Sequence, residues 1–190
     1  MRKLIIFLHT SLDGYAAGPN GEMDWIKFDD TLFDFVGDFT DQADAALYGR
    51  VTYDMMEGYW PTAGDQPNAS KHSRHHSSWY NRVEKVVVSE SLQADASTKR
   101  TVISGDLKGN IEKLKSMPGQ DIILFGSPSI VRQLQEHNLI DDYWLMLNPV
   151  ILGSGISLFA RDITKIDLEL AAIKQFPCGV AALNFKKKNQ

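Results

Sequence analysis

Cysteine is nearly absent: Cys178 is the one thiol in 190 residues. No internal disulfide framework can form, and a reducing cytoplasm is the expected setting. Excess charge of one sign is missing too. The formal net charge of -4 argues against nucleic acid or an anionic membrane surface as partner. Long apolar runs are lacking. The opening run, residues 4–8, is far too short for a membrane span or a secretory signal. Repeats and low-complexity segments are absent as well. His72, His75 and His76 have no cysteine or carboxylate at zinc-site spacing, so no metal is expected. Residues 71–80 are expected to form a polar helix over the sheet edge. What is present, 43% hydrophobic and 23% charged residues, is ordinary globular composition at a length suited to one domain, 1–190.

Strand and helix signals alternate along the chain. Residues 4–8 read as a strand buried on both faces. A loop with Gly14, Gly18, Pro19, Asn20 and Gly21 follows, where ligand contacts are common. Phe28, Leu32, Phe35, Val36 and Phe39 recur at helical spacing, so residues 22–40 predict an amphipathic helix. Asp29 and Asp30 fall near its start. Residues 43–48, 85–89 and 121–125 read as further strands, with 101–104 a short one. Residues 106–117 and 129–137 read as helices. Residues 143–152 are apolar enough to bury against a second copy. Residues 168–173 and 180–185 predict an antiparallel hairpin around Pro177-Cys178-Gly179, with Lys186-Lys187-Lys188 a solvated tail. The sum is an α/β protein with a mixed sheet and helices on its faces.

Two stretches carry chemistry. Leu47-Tyr48-Gly49-Arg50-Val51-Thr52-Tyr53 turns from strand to helix at Gly49-Arg50. A helix start offers unpaired N–H groups at the positive end of the helix dipole, which suits a phosphate. Gly49 lets a ligand approach the backbone closely, and Arg50 adds a cationic fork. Phe125-Gly126-Ser127-Pro128-Ser129-Ile130 repeats the pattern, with Ser127 or Ser129 as the cap. On neighbouring strands the two turns would face each other across one crevice.

Taken with Ser11-Leu12-Asp13-Gly14, Val86-Val87-Val88-Ser89, Leu139-Ile140-Asp141-Asp142 and Pro149-Val150-Ile151-Leu152-Gly153-Ser154-Gly155, these motifs make the chain resemble the dihydrofolate-reductase-like fold. Within that fold it is similar to the RibD C-terminal domain of riboflavin biosynthesis and its stand-alone relatives. The resemblance implies a mostly parallel sheet flanked by helices, with a C-terminal antiparallel hairpin. It implies NADPH as cofactor, a heterocyclic or ribosylaminopyrimidine substrate of the 5-amino-6-(5-phosphoribosylamino)uracil type, and a homodimer. The alternatives are a pterin reductase and an NADPH-binding module without turnover. By the same resemblance Gly49, Arg50, Val51 and Thr52 would take phosphates, with Arg50 favouring the 2′-phosphate. Ser89 would lie by the adenosine ribose, and Gly126, Ser127, Pro128, Ser129 and Ile130 would hold the pyrophosphate. Ala17 and Gly18 would pack on the nicotinamide, with residues 23–25 continuing toward the substrate. Asp30 falls nearest the proton-donating acid of dihydrofolate reductases, with Asp29 and Asp13 as alternatives. Those enzymes have a cis Gly-Gly where this chain has Gly126-Ser127, whose geometry the sequence leaves open.

Overall fold

The computed structural model describes residues 1–95, 99–160 and 165–188. Its frame is an eight-stranded sheet in the order β5-β4-β3-β6-β1-β7-β10-β9. β1 (Leu4–Thr10), β3 (Ala43–Gly49), β4 (Glu84–Val88), β5 (Arg100–Ile103), β6 (Asp121–Leu124) and β7 (Asp142–Leu147) run parallel. β9 (Leu168–Gln175) and β10 (Ala181–Lys187) pair antiparallel with each other, and β10 pairs antiparallel with β7. This is the mixed, mostly parallel sheet with a terminal hairpin that the sequence implied. A small ladder, β2 (Tyr15–Ala17) with β8 (Ile156–Ser157), lies outside the main sheet.

The central strands are apolar on both sides because both are covered. On β1, Leu4, Ile6 and Leu8 share a core with Ile111, Leu114, Val131 and Leu134 of α5 (Leu107–Ser116) and α6 (Pro128–Glu136). Phe7 points the other way, onto Leu32, Phe35, Val36 and Phe39 of α1 (Asp30–Thr40). His9, two residues on, shares that face. α2 (Arg50–Glu57), the short α3 (Trp60–Ala63) and α4 (Lys71–Arg82) complete the helices. Trp79 and Tyr80 of α4 are fully buried with Tyr48 of β3. Burying a ring of that size stabilises by roughly 2–3 kcal/mol.

Four expectations are corrected by this frame. The amphipathic helix begins at Asp30, not at residue 22: Asp29 is extended (φ -148°, ψ 171°) and its carboxylate caps the Leu32 N–H at 2.8 Å. The helix over 71–82 is not merely polar, since His76, Trp79 and Tyr80 are buried. The first half of the apolar run expected to meet a second copy, residues 143–147, lies inside the sheet, where β7 pairs with β1 and β10, whereas Ile151 beyond it is 69% exposed. Lys186 and Lys187 are not a tail but the last residues of β10, and the Lys187 ammonium donates to the Asn138 carbonyl at 2.7 Å.

Candidate active site

β1, β3, β4 and β6 end at one edge of the sheet, and a cleft of about 800 Å³ opens there. Carboxyl ends of parallel strands are where open α/β sheets take ligands. Two turns form one wall. Gly49 leads from β3 into α2, and Gly126-Ser127 lead from β6 into α6. β3 and β6 are direct neighbours, so the turns lie side by side.

The turns are tied to each other. The Gly49 N–H donates to Ser127 Oγ at 2.7 Å, and the Ser127 hydroxyl donates to Thr52 Oγ1 at 2.9 Å. The fit allows no side chain at Gly49, where a Cβ would lie 2.6 Å from Ser127 Oγ. At Gly126 (φ 81°) a Cβ would lie 3.1 Å from Thr52 Cγ2. Ser127 is itself left-handed (φ 69°), which costs a non-glycine residue about 1–2 kcal/mol. Two expectations change here. Ser127 makes no side-chain cap, because its hydroxyl is spent on the cross-tie. Gly49 offers no free N–H, for the same reason. The groups left for an anion are the first-turn N–H groups of α2, from Arg50, Val51 and Thr52, and that of Ser129 in α6, whose Pro128 has none. The Gly126–Ser127 peptide is trans.

Ten of the expected cofactor residues line this cleft: Ala17, Gly49, Arg50, Val51, Thr52, Gly126, Ser127, Pro128, Ser129 and Ile130. Gly18 and Ser89 stand outside the lining. Gly18 closes a turn with Glu22, its N–H on the Glu22 carbonyl at 2.9 Å. Ser89 Oγ accepts from the Ser91 and Leu92 N–H groups and so shapes the loop after β4. That loop supports Arg50, whose guanidinium donates to Ser91 Oγ at 3.2 Å and to Asp54 Oδ2 at 2.7 Å.

None of the three candidate acids reaches the cleft. Asp13 accepts the Leu152 and Gly153 N–H groups, and hydrogen bonds hold its carboxyl below the usual range. Asp29 caps α1, takes the Thr31 hydroxyl and receives the Cys178 N–H at 2.7 Å, which also lowers its pKa. Asp30 is exposed in the first turn of α1. The position matched to the pterin-protonating acid is thus a helix start facing solvent. Met23 lines the cleft as expected, while Asp24 and Trp25 do not.

The opposite wall was not foreseen as a site. It is made of rings: Phe28 stacks on Phe33 (5.2 Å, 9°), Phe33 on His72 (3.7 Å, 18°), and Trp60 lies 4.0 Å from His76. Phe28 is 52% exposed, a large apolar surface left open at the cleft. His9 lines it too. Buried Asn148 fixes His9. Its Oδ1 accepts the Lys27 N–H at 2.9 Å, and its amide donates to the Met146 carbonyl at 3.0 Å and to His9 Nδ1 at 3.1 Å. The His9 imidazole is therefore neutral with its proton on Nε2, and burial lowers its pKa to about 4. The clue in the sequence was a histidine continuing the Phe7 face of an apolar strand.

These features have parallels in known proteins. The family model of the RibD C-terminal domain matches residues 2–182. The chain belongs to the RibD C-terminal domain family. The uncharacterized protein YyaP of Bacillus subtilis (strain 168) is 32% identical over 188 residues, 96% of this chain and 93% of YyaP. A pyrimidine reductase-like protein from Corynebacterium diphtheriae superposes with a TM-score of 0.70 at 19% identity, over 100% of this chain and 93% of that one. A dihydrofolate reductase from Enterococcus faecalis, complexed with NADP(H) and RAB-propyl, superposes with a TM-score of 0.63 at 13% identity, over 98% of this chain and 97% of that one. The fold is thus shared between RibD-type reductase domains and dihydrofolate reductases.

Proposed function

We propose that this RibD C-terminal family member is an NADPH-dependent reductase that delivers hydride to a flat heterocycle. The observation that carries the reading is the pair of cross-tied turns beside one cleft at the carboxyl edge. The residues suit a dinucleotide. The first-turn N–H groups of α2 and α6 and the close backbone at Gly49 and Gly126 suit a pyrophosphate. Arg50 and Ser91 together offer donors to a 2′-phosphate at the cleft rim. Ala17 leaves room for a nicotinamide face.

A reduced nicotinamide supplies the hydride when bound. This chain's own residues bind, align and keep water away. The turns set the cofactor's position, and the ring wall of Phe28, Phe33 and Trp60 holds the acceptor flat beside it. The proton that completes the two-electron reduction is assigned to solvent at the cleft mouth; Asp30, exposed and outside the lining, is given no part in it, and Asp13 is assigned a structural part.

A homodimer is proposed through β9 in place of the buried run at β7. β9 ends the sheet, its outer edge unpaired among the described residues, with Leu170 and Ile173 51% and 61% exposed. A reducing cytoplasm suits the single Cys178.

The test is a fluorescence titration with NADPH and NADH. NADPH should bind at least tenfold more tightly, and Arg50→Ala should weaken NADPH much more than NADH. Equal affinity for the two, or equal losses in the variant, removes the role given to Arg50. NADPH bound without turnover of any pterin or pyrimidine would favour a binding module instead.

A further inference from the structure

The two walls of the cleft differ in charge as well as shape. The arginines that line it, Arg50 and Arg132, both stand on the side of the turns. Arg132 is already bound to the Ser157 carbonyl at 2.7 Å. Among the described residues, the ring wall contributes no lysine or arginine to the lining. Its histidines do not substitute for them. His76 is buried against Trp60 and Trp79, and burial lowers its pKa to about 3. His72 is stacked on Phe33, and burial lowers its pKa as well. A phosphate placed against this wall would lose its hydration with no cation to compensate.

One polar contact is nevertheless prepared there. Asn148 occupies His9 Nδ1 as an acceptor, so the ring carries its hydrogen on Nε2. Among the described residues His9 bonds through Nδ1 alone, and it lines the cleft. A neutral imidazole N–H is a hydrogen-bond donor and far too weak an acid to give up its proton. It suits a carbonyl oxygen. The neighbouring rings, with Phe28 half open, suit a planar π-system laid against them.

We propose that the acceptor bound in this half of the cleft is an uncharged, flat heteroaromatic lactam whose ring carbonyl accepts from His9 Nε2–H, and not a phosphorylated ribosylaminopyrimidine. The proposal rests on the reductase reading for its placement beside a nicotinamide, but its chemistry is set by His9, Asn148 and the ring wall. Asn148 acts as a positioning residue, since it touches His9 and holds the tautomer.

The experiment compares hypoxanthine with inosine 5′-monophosphate, the same lactam with and without a ribose phosphate. The full-length protein is used with the other half of the cleft saturated by NADP⁺, and again without NADP⁺. Hypoxanthine should bind at least tenfold more tightly than the nucleotide in the presence of NADP⁺. It should also move the ¹⁵N resonance of His9 Nε2, which a purely structural histidine would not show. His9→Phe should weaken hypoxanthine at least tenfold while NADP⁺ affinity stays within twofold, which also reports that the variant is folded. His9→Gln, which keeps a donor, should recover part of the loss. Tighter binding of the nucleotide, no hypoxanthine binding in either condition, or an unmoved His9 resonance overturns the proposal. Failure of NADP⁺ to bind while hypoxanthine still binds through His9 removes the reductase reading and leaves this one standing.

Discussion

Gly49 has no space for a side chain, because a Cβ there would meet Ser127 Oγ at 2.6 Å. Gly49→Ala must therefore push the two turns apart or break the cross-tie. It should destabilise the fold by about 1–3 kcal/mol, read as a lower Tm, and weaken NADPH at least tenfold. An unchanged Tm and unchanged NADPH affinity would show that the tie is dispensable. The buried histidines make a second prediction. Burial lowers His9 from 6.5 to about 4 and His76 from 6.5 to about 3, so both are neutral in the folded chain across that range. The unfolded chain binds protons there that the folded one refuses. Stability is complete above about pH 6.5 and falls as pH drops toward 4, by about 1.4 kcal/mol per pH unit for each histidine. Asp29, lowered from 3.8, adds its own loss only at still lower pH. Urea unfolding at pH 7, 6 and 5 checks this, and His76→Phe should reduce the slope by one histidine's share; a flat profile would contradict it. The turn residues themselves were legible, since Gly49-Arg50 and Gly126-Ser127 follow apolar strands. Their tie was not, because it joins residues 78 apart in sequence. His9 was missed because one histidine at the end of an apolar strand carries no motif.

At the scale of elements, helix periodicity located α1, α5 and α6, but it could not fix where α1 begins. The aromatic spacing runs back to Phe28, while the backbone turns helical only after Asp29, whose carboxylate also holds the Cys178 N–H of the distant hairpin at 2.7 Å. Asp29 was a candidate acid in the sequence and is a cap and a tie in the structure. Asp29→Ala should lower the urea midpoint with little change in hydride-transfer rate. A large loss of rate at unchanged stability would restore it as a catalytic acid. α4 shows the same limit. Its histidines and serines read as polar, yet one face carries His76, Trp79 and Tyr80 into the core beside Tyr48.

For the whole molecule, the order of strands decides what is site and what is surface. Parallel pairing of β1, β6 and β3 brings both turns and the end of β1 to one edge. The fold class was readable because strand and helix signals alternate, whereas which apolar strand stays open depends on sheet order. β7 is interior, and β9, with Leu170 and Ile173 exposed, is one of the two edge strands, β5 being the other. Sedimentation should therefore give twice the chain mass of 21.3 kDa, and Leu170→Lys with Ile173→Lys should return it to one chain mass. A native protein that sediments as one chain would remove the dimer. The reductase account is tested most directly by a crystal structure of the protein soaked with NADPH. It should show the pyrophosphate against the first turns of α2 and α6, the 2′-phosphate within hydrogen-bond distance of Arg50, and the nicotinamide beside Ala17. NADPH seated anywhere else, or side chains closing the cleft between the two turns against it, would contradict the account.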